Sequence, residues 1–498
     1  MVLGGAQLIH HGTLKVFNKS IDRKAKQKKI KLIVKSRFKN RHGDLCTEMD
    51  KSIPIRQGRS DVSKFEFDEK VLSDISQTAD KVSSSRRKLI KLSLATAGAA
   101  IAGQVLPFRT AHAQSGEIHV ASMFDLTGNL NIYGVQAMNV SKYAVDSINR
   151  GGGVLGKKLI LHAYDTQSKI ELYSRYAQEI GSDDRVAAVV GCFTGASREA
   201  ARPVLSRYGK ILFFPTIDEG GECDKLTFMQ GSDCLQQEAP LIEWAAKTVG
   251  KTFYIVAADY VYGHVATAWT QSLVSKQGGS IKGVEYVPLD VSDFGSTIRK
   301  IQTASPAVVM SNLVGNNHIA FYRQFAAAGL NKNIKIISPT FGLGNEQTVL
   351  TPEEASGIVV AYSYFESIDS PANKQFLDGF RKMYPNAGPI SDPPVQVWNG
   401  WQQWKVAVEK AGTTDTAKVV AALESGIPYV GPSGKVSTDG PSHRNIQDIH
   451  LAKVSSRQGF EIIQSFGQVK PSREVVGAGA CDLTGKDASS HRMINPKF

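Results

Sequence analysis

Twice along this chain, short apolar strands alternate with segments of helical spacing, and that alternation constrains the fold more than any other feature. Residues 117–124 read as a strand. Residues 133–149 read as a helix, with Ala137, Val140, Ala144, Val145 and Ile148 on one side and Gly151-Gly152-Gly153 as its stop. Strands are predicted over 158–164, 186–190 and 211–214, with helices over 170–180 and 197–208 between them. A second series then begins, with helices over 237–249, 263–276, 296–303 and 317–328 and strands over 252–257, 280–287, 307–311, 334–338 and 357–361. Strands alternating with helices predict parallel sheet wrapped by helices. Two such series predict an α/β protein of two lobes. Further helices are predicted over 371–384, 394–410 and 415–423, and a closing hairpin over 449–454 and 460–464.

Charge locates the remaining segments. The chain of 498 residues carries a formal net charge of +13. Residues 1–113 hold 23 Lys and Arg against 10 Asp and Glu, whereas the rest of the chain holds 36 of each. The folded part therefore has no basic excess to bind nucleic acid. Residues 85–91 read SRRKLIK, an Ala- and Gly-rich apolar stretch follows, and Ala111-His112-Ala113 has the small-residue spacing of a cleavage site. That order is a secretory signal, and the paired Arg86 and Arg87 give it the twin-arginine form, implying the Tat export machinery as a partner and a periplasmic destination. Residues 1–84 are a basic extension to which the sequence assigns no fold, read as an upstream start with the true one at Met49 or later. Beyond the signal lie Cys192, Cys223, Cys234 and Cys481, of which Cys223 and Cys234 are close enough in sequence to suggest a pair. No Cys/His cluster marks a metal site, and no phosphate loop, dinucleotide fingerprint, nucleophile elbow or zinc-protease motif suggests an enzyme, so neither cofactor nor catalytic residues are expected.

Several stretches carry a family resemblance. DLTGNLNIYGVQAMNVSKYAVDSINRGGGVLGKKLILHAYDTQS resembles the opening of the type I periplasmic binding proteins of the leucine/isoleucine/valine group. GCFTGASREAARPVLSRYGKILFFPTIDEGGEC and ADYVYGHVATAW resemble the urea- and amide-binding branch of that group. The likeness extends over 116–465. It implies two Rossmann-like lobes joined by a hinge of three crossing strands, at about Leu235, Tyr364 and Gly440. Lobe 1 would then comprise 114–235 and 365–440, and lobe 2 would comprise 236–364 and 441–498. It also implies an exported receptor that delivers a small polar solute to the permease subunits of an ABC transporter. A branched-chain amino-acid receptor and an amide-sensing regulator of the same fold are the alternatives.

Parallel sheets place ligands at the carboxyl ends of their strands, which selects the candidate residues. Thr194, Gly195 and Ser197 follow one strand and open a helix whose free N–H groups suit a carbonyl or carboxylate oxygen. The resemblance implies contact for Thr194, while Ser197 suits a helix cap. Thr216 and Asp218 follow the next strand; the resemblance implies an aromatic residue where Asp218 stands. Tyr260 and Tyr262 end a strand of the second series, one expected to touch ligand and the other to pack. Asn316 is a candidate for the floor and Tyr133 for the rim. Amino-acid receptors of the group carry an acid after the strand at 334–338, where this chain has Pro339-Thr340-Phe341-Gly342, and its lack implies a neutral amide or urea ligand.

Overall fold

The computed structural model describes residues 13–15, 29–40, 43–54, 116–475, 479–484 and 492–493. The chain divides into Met1–Arg109 and Thr110–Phe498. The signal segment and its cleavage point lie outside the described residues. In the first unit, Thr13–Lys15, Lys29–Asn40 and Gly43–Pro54 form an antiparallel sheet, with Lys29 opposite Pro54 and Asn40 opposite Gly43. The sequence reading assigned no fold there because of the lysines; Ile30, Leu32, Ile33 and Val34 supply the β-propensity that their charge obscured.

The second unit carries the alternating pattern. Its first half contains β1 (Glu117–Phe124), α1 (Asn131–Arg150), β2 (Lys158–Asp165), α2 (Ile170–Ser182), β3 (Val186–Gly191), α3 (Gly195–Arg207), β4 (Ile211–Phe214) and β5 (Thr227–Met229). After α4 (Cys234–Thr248), the second half contains β6 (Thr252–Ala258), α5 (Val261–Lys276), β7 (Ser280–Val287), α6 (Gly295–Ala304), β8 (Val308–Asn312), α7 (Asn317–Ala327), β9 (Lys335–Ser338) and β10 (Val359–Tyr362). The chain then adds α8 (Pro371–Met383), α9 (Asp392–Ala411), α10 (Thr416–Glu424), β11 (Tyr429–Gly431), β12 (Gly434–Asp439), β13 (Arg444–Val454) and β14 (Phe460–Val469).

Each half is a parallel sheet, ordered β2-β1-β3-β4-β5 and β7-β6-β8-β9-β10, and β13 joins them. Arg444 at its start pairs in parallel with Met229 of β5, while its far end pairs antiparallel with β10, Lys453 opposite Val359. One strand therefore belongs to both halves. Helices α8 to α10 return to the first half, where Phe376, Phe380, Trp401 and Trp404 join Val120, Phe124 and Val190 in its core. Separate cores in the second half gather Phe321, Tyr322 and Phe341 on one face of its sheet and Phe253, Met310 and Leu451 on the other.

Two expectations change. Cys223 is bonded to Cys481, at a Cα separation of 5.5 Å, and not to Cys234. Cys234 is the first residue of α4, buried and free, with its thiol turned into the second core. The same bond shows that the C-terminal residues do not all stay with the second half, as the sequence division had it: 492–493 pairs with Glu222–Cys223 of the first. Sequence proximity favoured Cys234, but chain topology decided the pair.

Candidate functional site

The site is assembled where the carboxyl ends of the strands in the two halves face one another. From the first half, β3 ends at Gly191 and Cys192 adopts a φ of 71°, a left-handed backbone that costs a residue with a side chain about 1–3 kcal/mol. That turn presents Phe193 and Thr194 to the cleft. Thr194 is the N-cap of α3: its Oγ1 accepts from Ser197 N–H at 3.0 Å, and Ser197 Oγ accepts from Thr194 N–H at 3.0 Å and Phe193 N–H at 3.2 Å. Ser197 is thus a buried cap, while Thr194 both caps the helix and lines the cleft.

The loop after β4 supplies Thr216, Ile217 and Glu219. Asp218 points away. Its carboxylate is fully buried, accepts from Gly220 N–H at 2.8 Å and pairs with Arg444 and Arg198. Burial pushes its pKa up, but the two guanidiniums outweigh that and hold it below the usual carboxylate value. Asp218 therefore ties this loop to the first residue of β13.

From the second half come Tyr260, Tyr262, Val314, Thr340 and Leu343. Tyr260 is the N-cap of α5, and its ring lies 6.0 Å from that of Tyr262. The Tyr262 hydroxyl is buried and has no hydrogen-bond partner among the described residues. Thr340 Oγ1 donates to Leu313 C=O at 2.7 Å, so its position is fixed. Asn316 lies outside this group, exposed at the start of α7. Its neighbour Gly315 turns its N–H inward, to the Tyr133 hydroxyl at 2.9 Å.

Tyr133 sits between the halves. Its ring stacks on Phe193 at 4.1 Å and 11°, and its hydroxyl donates to Glu346 Oε1 at 3.1 Å. Glu346 Oε2 accepts from Gly342 N–H at 2.8 Å and Gly344 N–H at 3.1 Å. The sequence reading found no acid after this strand. Glu346 lies further along the loop and folds back, so a carboxylate does occupy the region, spent on the protein's own donors. Burial raises its pKa to about 6.

These residues enclose a cavity of about 30 Å3, and the space counted out to the open mouth is about 360 Å3. Thr194, Gly195, Thr216, Tyr260, Tyr262 and Tyr133 come together there; Ser197, Asp218 and Asn316 do not. Phe193, Glu219, Thr340 and Glu346 were not singled out from sequence. Glu219 lies next to Asp218 in the same quoted loop, and only the backbone direction distinguishes them. Glu219 is the one charged residue lining the cleft among the described residues, where no Lys, Arg or His joins the lining. Burial raises its pKa against the pull of Arg198, 3.3 Å away. A Cβ added to Gly195 would lie 1.7 Å from Glu219 Oε1, so this carboxylate rests against the amino end of α3 and only glycine admits it.

Residues 118–473 match the family described as periplasmic binding protein domain. A Leu/Ile/Val-binding protein homolog 6 of Brucella melitensis is 27% identical over 44% of this chain and 57% of its own length. The matched part of the chain thus spans little more than half of that relative. The leucine-, isoleucine-, valine-, threonine- and alanine-binding protein of Pseudomonas aeruginosa is 24% identical over 70% of this chain and 92% of its own. Among solved structures, a solute binding protein of an ABC transporter from Rhodopseudomonas palustris, in complex with 3,4-dihydroxybenzoic acid, superposes with a TM-score of 0.64 at 23% identity, covering 72% of this chain and 99% of that one. The two-lobed α/β architecture is therefore shared with these receptors, and the chain belongs to the periplasmic binding protein domain family.

Proposed function

We propose that this protein captures a small polar solute of the amide or urea class in the periplasm and delivers it to the permease subunits of an ABC transporter, after export through the twin-arginine route. One observation carries the solute class: the single charged group facing the cleft is an acceptor, Glu219, among hydroxyls of Thr194, Thr216, Tyr260 and Tyr262. A solute rich in N–H groups satisfies that set. A carboxylate ligand, as bound by the R. palustris protein, would meet Glu219 at the very helix terminus suited to an anion. Each unmatched polar group in a closed cleft costs about 1–3 kcal/mol, so such a mismatch decides selection. An amino acid, as the P. aeruginosa relative's name indicates, is the second reading; Glu219 would take its ammonium, but among the described residues no cation lines the cleft to take its carboxylate.

Bonds between the halves support capture by closure. Beside Tyr133–Glu346, Ser391 Oγ donates to Leu343 C=O at 2.7 Å and Asn345 Nδ2 donates to Pro389 C=O at 2.8 Å. Thermal unfolding of the purified protein with acetamide, urea, leucine or benzoate tests the assignment, because a ligand bound only by the folded state adds RT ln(1 + [L]/Kd). Acetamide or urea should raise the melting temperature. A rise with benzoate or leucine alone would refute the class.

A further inference from the structure

Behind Glu219, among the described residues, lies a buried cluster of ion pairs. Two guanidiniums, Arg198 and Arg444, face three carboxylates, Asp218, Glu219 and Glu222, all almost wholly buried. The shares are unequal. Asp218 and Glu222 each pair with Arg444, and Glu222 also lies 2.9 Å from Arg198. Glu219 has only Arg198, at 3.3 and 3.4 Å, longer than the roughly 2.7–2.9 Å of a strong charged bond, and Arg198 is shared with Glu199 as well. Burial and its acidic neighbours push the Glu222 pKa up to about 8, so Glu222 keeps its proton at neutral pH; of the other two, Glu219 is the more weakly paired and is the one that faces the cleft. A second, independent feature points the same way. The Tyr262 hydroxyl, 4% exposed, lines the same cleft without a hydrogen-bond partner among the described residues and can accept a further N–H. The stacked rings of Tyr133 and Phe193 form a flat aromatic wall beside these acceptors, a surface that suits a planar cation.

Resting on the reading that an N–H-rich solute enters this cleft, we infer that its preferred ligand is a planar cation of the guanidinium or amidinium class, with Glu219 as the residue that selects it. Such a cation brings the weakly paired Glu219 a full counter-charge and donates parallel N–H bonds to its carboxylate. A neutral urea or amide has the same shape and donors but leaves Glu219 without that counter-charge.

Matched pairs test this without a mutation. Guanidinium against urea, and acetamidinium against acetamide, are titrated into the purified protein by calorimetry at neutral pH and equal ionic strength. The cation of each pair should bind at least about tenfold tighter, the difference between a charge-assisted and a neutral hydrogen bond. Glu219→Gln, with its fold checked by circular dichroism, should abolish that preference. Urea or acetamide binding as tightly as its cation would overturn the inference, with a proton supplying that counter-charge, and would leave the amide and urea reading standing. Failure of all four, with benzoate or leucine bound instead, would overturn both. A cation preference that survives Glu219→Gln would remove Glu219 from the role.

Discussion

The Tyr133 hydroxyl donates to Glu346 Oε1 at 3.1 Å although the two residues are 213 positions apart, one at the start of α1 in the first half and the other in the loop after β9 in the second. The same hydroxyl accepts from Gly315 N–H. One atom thus latches the halves while its ring forms a wall of the cleft. Tyr133→Phe keeps the wall and removes the latch. The loss of a bond to a charged group, with Gly315 N–H left unpaired, is worth about 1–3 kcal/mol and should appear as tenfold or more weaker ligand binding. X-ray scattering should show a more open protein. Unchanged affinity in Tyr133→Phe would mean that closure does not depend on this contact.

Thr194 and Ser197 divide one motif between two tasks. Ser197→Ala removes the reciprocal half of the capping box at α3 and leaves Phe193 and Thr194 N–H without their acceptor. It should lower stability by about 1 kcal/mol in calorimetry. Thr194→Val removes a cap and a cleft hydroxyl together, so stability and affinity should both fall, whereas Thr194→Ser should restore both. Thr194→Val with full affinity would confine Thr194 to capping.

The Cys223–Cys481 bond closes a loop of 258 positions and ties the segment just past Glu222 to the C-terminal residues. Chain entropy sets a ceiling of about 5 kcal/mol for such a loop, and native bonds commonly contribute about 2–4 kcal/mol. A reductant should lower the melting temperature of the wild type and leave Cys481→Ser, already destabilised, unmoved. Cys192 and Cys234, both buried, should stay unreactive to thiol reagents until unfolding.

Glu238 is fully buried and accepts from Thr270 Oγ1 at 2.6 Å, while its Oε1 has no hydrogen-bond partner. Burial outweighs the hydrogen bonds and pushes its pKa up to about 8. The unfolded chain releases this proton near its ordinary value of 4.5 and the folded chain keeps it, so stability falls as pH rises from about 4.5 to 8 and levels off above. Asp233, Glu346 and Asp392, each raised by burial to about 6, add to the decline at its acidic end. Glu222, pushed up to about 8 by burial, adds to the upper part, while His318, lowered by burial to about 3, opposes the decline below about pH 6.5; melting temperature should therefore decrease from about pH 6.5 to 8, and Glu238→Gln, which carries no titrating proton, should remove part of that decrease. An equal slope in the variant would assign the decline to other groups.

The strand and helix pattern was legible because the period of apolar residues reports burial directly. Residues 117–124, 211–214 and 280–287 appear as the strands expected of them, to the residue. What escaped was set by long-range pairing. Strand β5 is three residues long and exists because it pairs with β4 and, at Met229, with Arg444. Cleft residues were legible as loops at strand ends, hence Thr194, Thr216 and Tyr262. Which side chain of a loop faces inward was not, since Asp218 and Glu219 differ there only by the backbone turn that sends one to Arg444 and the other to the cleft. Glu346 was hidden by distance along a loop that folds back on itself.

The proposed solute, small and rich in N–H groups, sits in the cleft between Thr194, Glu219 and Tyr262. Calorimetric titration of acetamide into the wild type and into Tyr262→Phe tests this most directly. The hydroxyl of Tyr262 has no hydrogen-bond partner among the described residues, so its removal should leave the fold unharmed. One acetamide should bind per chain, with affinity reduced about tenfold or more in Tyr262→Phe. Acetamide binding unaffected by Tyr262→Phe, or no acetamide binding where leucine or benzoate binds, would contradict it.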